Sequence, residues 1–188
     1  MRHSLSLSNP IIVTFALVVA AVRGAGAQLP APVGLLSGSA IGFSVGKFVP
    51  AGARVGEGLT TVVLHVTRLE PKAVGLDVAV GMWPNGLSGG ALVLGVDVGG
   101  AYNIGVPGAT FLLKAGPSAL VAVGMGGGAG AIGAHAGGGA ILRVGPAIGI
   151  RADLVEHYYY GAGTGGDGGT GFGALSLSLG LTSLSRNH

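Results

Sequence analysis

Large aliphatic residues fall on every second position through much of the chain. In "AVGLDVAVGMW", Val74, Leu76, Val78, Val80 and Met82 alternate with Ala73, Gly75, Asp77, Ala79 and Gly81. In "ALVLGVDVG", Leu92, Leu94, Val96 and Val98 alternate with Ala91, Val93, Gly95, Asp97 and Gly99. "ALSLSLGLTSL" sets Leu175, Leu177, Leu179 and Leu181 against Ala174, Ser176, Ser178, Gly180 and Thr182. Period two is the repeat of a strand, whose successive side chains point to opposite faces. A helix would group apolar residues three and four apart. Eight strands are predicted, over residues 39–49, 59–70, 73–83, 90–103, 109–125, 129–143, 146–160 and 170–184.

The makeup of the two faces decides the architecture. One face is large and aliphatic, and the other is small or polar with an occasional charge. A soluble sandwich would carry a charged outer face, but charged residues are only 9% of this chain against 49% hydrophobic. The predicted fold is therefore all-β: an eight-stranded antiparallel up-and-down transmembrane barrel. Its aliphatic face meets lipid, and Gly, Ala, Ser and a few ionisable groups fill a narrow lumen. Most strands reach the ~9–11 residues that a tilted membrane strand needs. Short connections, "EPKA" (Glu70 to Ala73) and "VGP" (Val144 to Pro146), alternate with longer ones. The longer ones are "PAGARVGEG" (Pro50 to Gly58) and "GAGTGGDGG" (Gly161 to Gly169), as expected of inner turns and outer loops. A bundle of membrane helices is disfavoured because Asp77, Asp97, Lys114 and Arg151 interrupt the apolar stretches and glycine is a poor helix former. Regular strand length argues against a glycine-rich cross-β protein.

Glycine, 40 residues of 188, concentrates in "AVGMGGGAGAIGAHAGGGA" from Ala122 to Ala140. Disordered glycine-rich chains are polar and poor in aliphatics, which this one is not. The stretch is predicted to be a hairpin. Val121, Val123 and Met125 end the outward face of strand five, and Gly126 to Gly130 make the turn. Ile132, Ala134 and Ala136 then take the lipid face. Gly133, Gly137 and Gly139 share the lumen side with His135 and leave room there for Lys114 and Arg151.

The N-terminus has a secretory pattern: Arg2, then the apolar run "IIVTFALVVAAV" (Ile11 to Val22), then small residues ending in "AGA". The apolar run is shorter than the ~20 residues of a spanning helix, so residues 1–27 are predicted to be a signal peptide cleaved after Ala27. Residues 28–38 form a short N-terminal segment and residues 39–188 the barrel. Arg2 and Arg23 leave with the leader. The remaining basic residues are scattered singly, so the pI of about 9.6 is no sign of nucleic-acid binding. With no cysteine there is no disulfide framework.

The segment "GIRADLVEHYYYGAGTGGDGGTGFGALSLSLGLTSL", Gly149 to Leu184, resembles the last hairpin of small bacterial outer-membrane β-barrel-domain proteins, the OmpA-like eight-stranded barrels. Their penultimate strand often carries an R-x-(D/E) element, matched by Arg151 and Asp153. The resemblance implies a bacterial outer-membrane location, with outer-membrane lipid and the barrel-assembly machinery as partners. Such barrels commonly finish on an aromatic residue, whereas Leu184 is the last large apolar residue in this chain.

Nine ionisable residues fall on the lumen side: His65, Asp77, Asp97, Lys114, His135, Arg143, Arg151, Asp153 and His157. A charge in a narrow lumen needs a partner or water. A polar network built on Asp77, Asp97, Lys114, His135, Arg151 and Asp153 is therefore expected, plugging the lumen and fixing register; a narrow charge-lined conduction path is the alternative. Aromatic residues gather near strand ends and suggest two membrane girdles. Phe48, Trp83, Tyr158, Tyr159, Tyr160 and Phe172 lie at the outer end, and Tyr102 and Phe111 at the inner end. Parity, however, puts Trp83 and Phe172 on the lumen side.

The three histidines His65, His135 and His157 lack close metal-ligand spacing, so no metal is expected. "EHYYY" offers Glu156 and His157 to a nucleophile such as Ser118, Ser176 or Ser178, but there is no G-x-S-x-G element. "GMGGGAG" has no Walker lysine, and "GTGGDGG" supplies one Asp167, too few ligands for calcium. The expectation is a monomeric structural or surface-interaction barrel without catalysis, cofactor or nucleic acid. A small channel, a lipid-modifying enzyme and a secreted soluble ligand-binding barrel are the alternatives.

Overall fold

The computed structural model describes residues 38–70, 72–83, 91–124, 127–163 and 170–185. The predicted leader, residues 28–37 and Met125 lie outside them. Eight strands follow in chain order: β1 (Gly38–Pro50), β2 (Leu59–Leu69), β3 (Val74–Met82), β4 (Ala91–Val106), β5 (Ala109–Gly124), β6 (Gly127–Arg143), β7 (Ile148–Gly163) and β8 (Thr170–Ser185). Each pairs antiparallel with its sequence neighbours, and β1 pairs with β8 to close a barrel. Closure removes the two free edge strands that an open sheet would carry.

The period-two pattern becomes an outside and an inside. Phe43, Leu64, Leu76, Val96, Leu113, Ile150 and Leu179 all stand exposed on the outer face, Leu179 at 62%. Their sequence neighbours Ser44, His65, Asp77, Lys114, Arg151 and Ser178 are buried in the lumen. One end of the barrel carries the tight connections β2–β3, β4–β5 and β6–β7; we call it the turn end. The β2–β3 turn closes through the Ala73 N–H donating to the Glu70 carbonyl at 3.0 Å, with Lys72 left-handed at φ 59°. The other end is the loop end. It carries the β1–β2 connection, which contains a single 3₁₀ turn, Val55–Glu57.

Two predicted loops shrink. Gly127 to Gly130 are strand, because the ladder runs on from Gly124 paired with Gly127. Gly161 to Gly163 are likewise strand, Gly161 pairing with Thr170. Glycine costs a strand side-chain packing but keeps its N–H and C=O, so a ladder continues through it. Thr164 to Gly169 lie outside the described residues.

On β6 the inward glycines let neighbouring strands approach closely. A Cβ at Gly137 would lie 2.7 Å from Val155 Cα, on backbone that cannot swing away. We expect Gly137→Val to destabilise the barrel by about 1–3 kcal/mol, as overpacking does. Gly128→Ala, whose added carbon would meet nothing nearer than 3.4 Å, should change little. Urea unfolding of both variants in detergent micelles checks the contrast.

Candidate functional site

The middle of the lumen holds two carboxylates and two basic side chains. Arg151 and Asp153 project from one face of β7, two residues apart. Arg151 Nε donates to Asp153 Oδ2 at 2.7 Å, and its Nη2 donates to Asp153 Oδ1 at 3.2 Å. The guanidinium then reaches across to the far wall, where Nη1 donates to Thr67 Oγ1 of β2 at 2.6 Å. Nη2 also meets Asp77 Oδ1 of β3 at 3.2 Å. Thr67 donates to the same Asp77 oxygen. From β5, Lys114 Nζ donates to Asp153 Oδ1 at 2.6 Å and sits 3.5 Å from Asp77 Oδ2. Two negative and two positive groups balance. All four are nearly sealed from solvent, Arg151 being 1% exposed.

The glycines of β6 make this possible. Lys114 is level with Gly137, and Gly139 is level with Asp153, so β6 presents bare backbone between Lys114 and its partner. A side chain at Gly139 would run into the Asp153 carboxylate. Lys114 uses the space expected for it, whereas Arg151 extends the other way, toward β2 and β3. His65 extends the cluster: its Nε2 lies 2.7 Å from Ser44 Oγ and 3.9 Å from Asp153 Oδ2, and Ser44 in turn donates to Ser178 at 3.1 Å.

Asp97 stands apart, one layer nearer the loop end. Ser118 donates to its Oδ1 at 2.6 Å, and His157 Nε2 lies 3.0 Å from Oδ2. His135 Nδ1 is 3.0 Å from Ser118 Oγ and 3.8 Å from Asp97. The residues are those of a nucleophile–base–acid set, but the wiring is different. Both histidines and the serine converge on one carboxylate, and Ser118 donates to that carboxylate. The suggested Glu156–His157 pairing is split by strand alternation: Glu156 is exposed outside and His157 buried inside. Among the described residues no group of three or more His, Cys, Asp or Glu is placed to hold a metal.

Apolar clusters cap this polar core at both ends. At the turn end Ala40, Leu69, Leu112, Ile141 and Leu184 pack together. At the loop end Phe48, Trp83, Ala131, Tyr159 and Ala174 do the same. Phe48 meets Trp83 edge-on at 5.2 Å, and Tyr159 lies between His157 and Phe172, stacking on both. Trp83 was expected in the outer girdle. It is 5% exposed and belongs to the internal cluster, as do Phe48 and Tyr159. Closing a narrow barrel needs large inward side chains at its mouth, and these rings supply them. Tyr102, Tyr158 and Tyr160 do stand exposed on the outer face, and Phe111 shares that face, half-buried. Arg143 is buried on the lumen side at the turn end.

No protein-family model and no curated protein matches the chain. Solved structures do. The N-terminal β-barrel domain of Pseudomonas aeruginosa OprF aligns over 79% of this chain and 98% of that domain, with TM-score 0.55 and 14% identity. Neisserial surface protein A aligns over 78% of this chain and 96% of its own, with TM-score 0.53 and 11% identity. The chain has the fold of the small outer-membrane eight-stranded barrels. At such identities the likeness lies in strand count, order and closure, and the lumen chemistry must be read from this chain's own residues.

Removing one partner of a buried charge cluster leaves the others unpaired, which typically costs ~3–5 kcal/mol. We therefore expect Arg151→Met to lower stability by about that amount. Asp97→Asn keeps its shape, faces only neutral-capable partners and should cost clearly less. Urea titrations of the refolded barrels measure both.

Proposed function

We propose that this protein is a bacterial outer-membrane β-barrel with a structural or surface-interaction role, a side-chain-filled lumen and no catalytic activity. The observation that carries the reading is the pairing of an apolar exterior with a closed interior. Aliphatic residues are exposed on the outer face of all eight strands, an arrangement a water-facing barrel would not sustain. Its exterior suits lipid, with Tyr102 and Phe111 toward one interface and Tyr158 and Tyr160 toward the other. Inside, the charge quartet sits between the two apolar clusters, which supports a plugged wall over a channel. The Asp97 group lies beneath aromatic rings, with Ser118, His135 and His157 buried and Asp97 half-buried, a poor position for attack on a lipid substrate.

On this reading the chain is exported by a cleaved leader, inserted by the barrel-assembly machinery and works as a monomer in outer-membrane lipid. No cofactor or nucleic acid takes part. Contacts with other surfaces fall to the connections at the loop end.

Three results are expected. The folded protein should fractionate with outer membranes and show heat-modifiable gel migration. Planar bilayers should show no steady large conductance, whereas an open pore would give one. Leu179→Arg, near the middle of the outer face, should cost about 2–4 kcal/mol in lipid vesicles. A neutral effect there would point instead to a soluble barrel.

A further inference from the structure

Between the aromatic cluster and the Asp97 group lies a cavity of about 30 Å³, bounded among others by Phe48, Thr61, Gly81, Trp83, Asp97 and His157. Three of these residues carry a buried polar atom without a hydrogen-bond partner in the protein: Thr61 Oγ1, Trp83 Nε1 and His157 Nδ1. Thr61, Trp83 and His157 are 2%, 5% and 4% exposed. One such orphan is unremarkable in a protein; three on residues that bound one cavity point to a common partner there, because each is costly to leave unmet.

The chemistry of the wall narrows what that partner is. The Trp83 indole N–H can only donate. His157 directs Nε2 at the Asp97 carboxylate, so the tautomer that donates there leaves Nδ1 as an acceptor. The Thr61 hydroxyl can do either, and the Asp97 carboxylate accepts. A guest must therefore accept from one wall and donate to another. A metal cation offers no acceptor for the indole N–H. An organic ligand needs a pocket of some ~300 Å³ or more. Water meets both demands, and at ~10–15 Å³ per molecule the cavity takes two.

We infer that this cavity is a built internal hydration site for two ordered waters, accepting from Trp83 Nε1–H and donating to His157 Nδ1 and Asp97. Gly81 keeps the site open. A Cβ there would stand 3.6 Å from both Thr61 Oγ1 and Trp83 Cη2, in ordinary contact and inside the space the waters need. The waters solvate Asp97, whose protein partners are a serine and two histidines, and join the aromatic lid to the polar core. The inference depends on the lumen alone and holds whichever compartment the barrel occupies.

Trp83 is the chain's single tryptophan, so its indole N–H gives one resonance. The test is water–indole NOE and ROE spectroscopy on ¹⁵N-labelled full-length protein folded in deuterated detergent micelles. Bound water predicts a cross-peak at the water frequency with opposite NOE and ROE signs. That peak should persist in Thr61→Val, which removes the hydroxyl that could relay exchange, and lose at least half its intensity in Gly81→Ala. Absence of the peak in the wild-type protein overturns the inference. So does its disappearance in Thr61→Val, or an undiminished peak in Gly81→Ala. Urea unfolding adds a second readout: a hydrated site predicts a lower midpoint for Thr61→Val, and a dry one a raised or unchanged midpoint.

Discussion

A guanidinium sealed inside an eight-stranded barrel must find every hydrogen-bond partner within the wall around it. Arg151 does so by spending its donors on Asp153, Asp77 and Thr67, residues from β7, β3 and β2. Lys114 from β5 then balances the second carboxylate. Low local dielectric strengthens each of these bonds and equally raises the cost of leaving any one unmade. Backbone ladders join only adjacent strands. The quartet joins strands that face each other across the lumen, so a register slip on β2, β3, β5 or β7 would break it. Much else in the lumen can be read as accommodation of this cluster, from the bare glycine face of β6 to the apolar caps that keep bulk water away.

The lumen is consequently layered. From the turn end come an aliphatic cluster, the charge quartet with His65, the Asp97–Ser118–histidine group, a small cavity and an aromatic cluster. Each layer suits its neighbours: the Arg/Lys–carboxylate pairs lie deepest, and groups with flexible hydrogen-bond roles lie beside the cavity.

The sequence announced the strands because period two is a local property, readable wherever large and small residues alternate. It announced which face was inward for the same reason, and placed Asp77, Asp97, Lys114, His135, Arg151 and Asp153 on it. What it hid were pairings between strands distant in sequence. Nothing local distinguishes Asp77, which meets Arg151, from Asp97, which meets His157. Aromatic residues at strand ends were ambiguous in another way. Trp83 and Phe48 sit where girdle residues sit, and parity was read as a hint of an inward turn only for Trp83 and Phe172. The glycine run was legible as strand and turn but not in its bounds, since glycine neither marks a face nor ends a ladder.

A double-mutant cycle on Lys114 and Asp153 tests the central claim most directly. Lys114→Met, Asp153→Leu and the double variant would be unfolded in urea beside the parent. If the quartet is an interdependent buried network, the two changes couple by at least about 1.5 kcal/mol, and the double variant is less destabilised than the sum of the single ones. Additivity within ~0.5 kcal/mol, the behaviour of independent sites, would contradict the account.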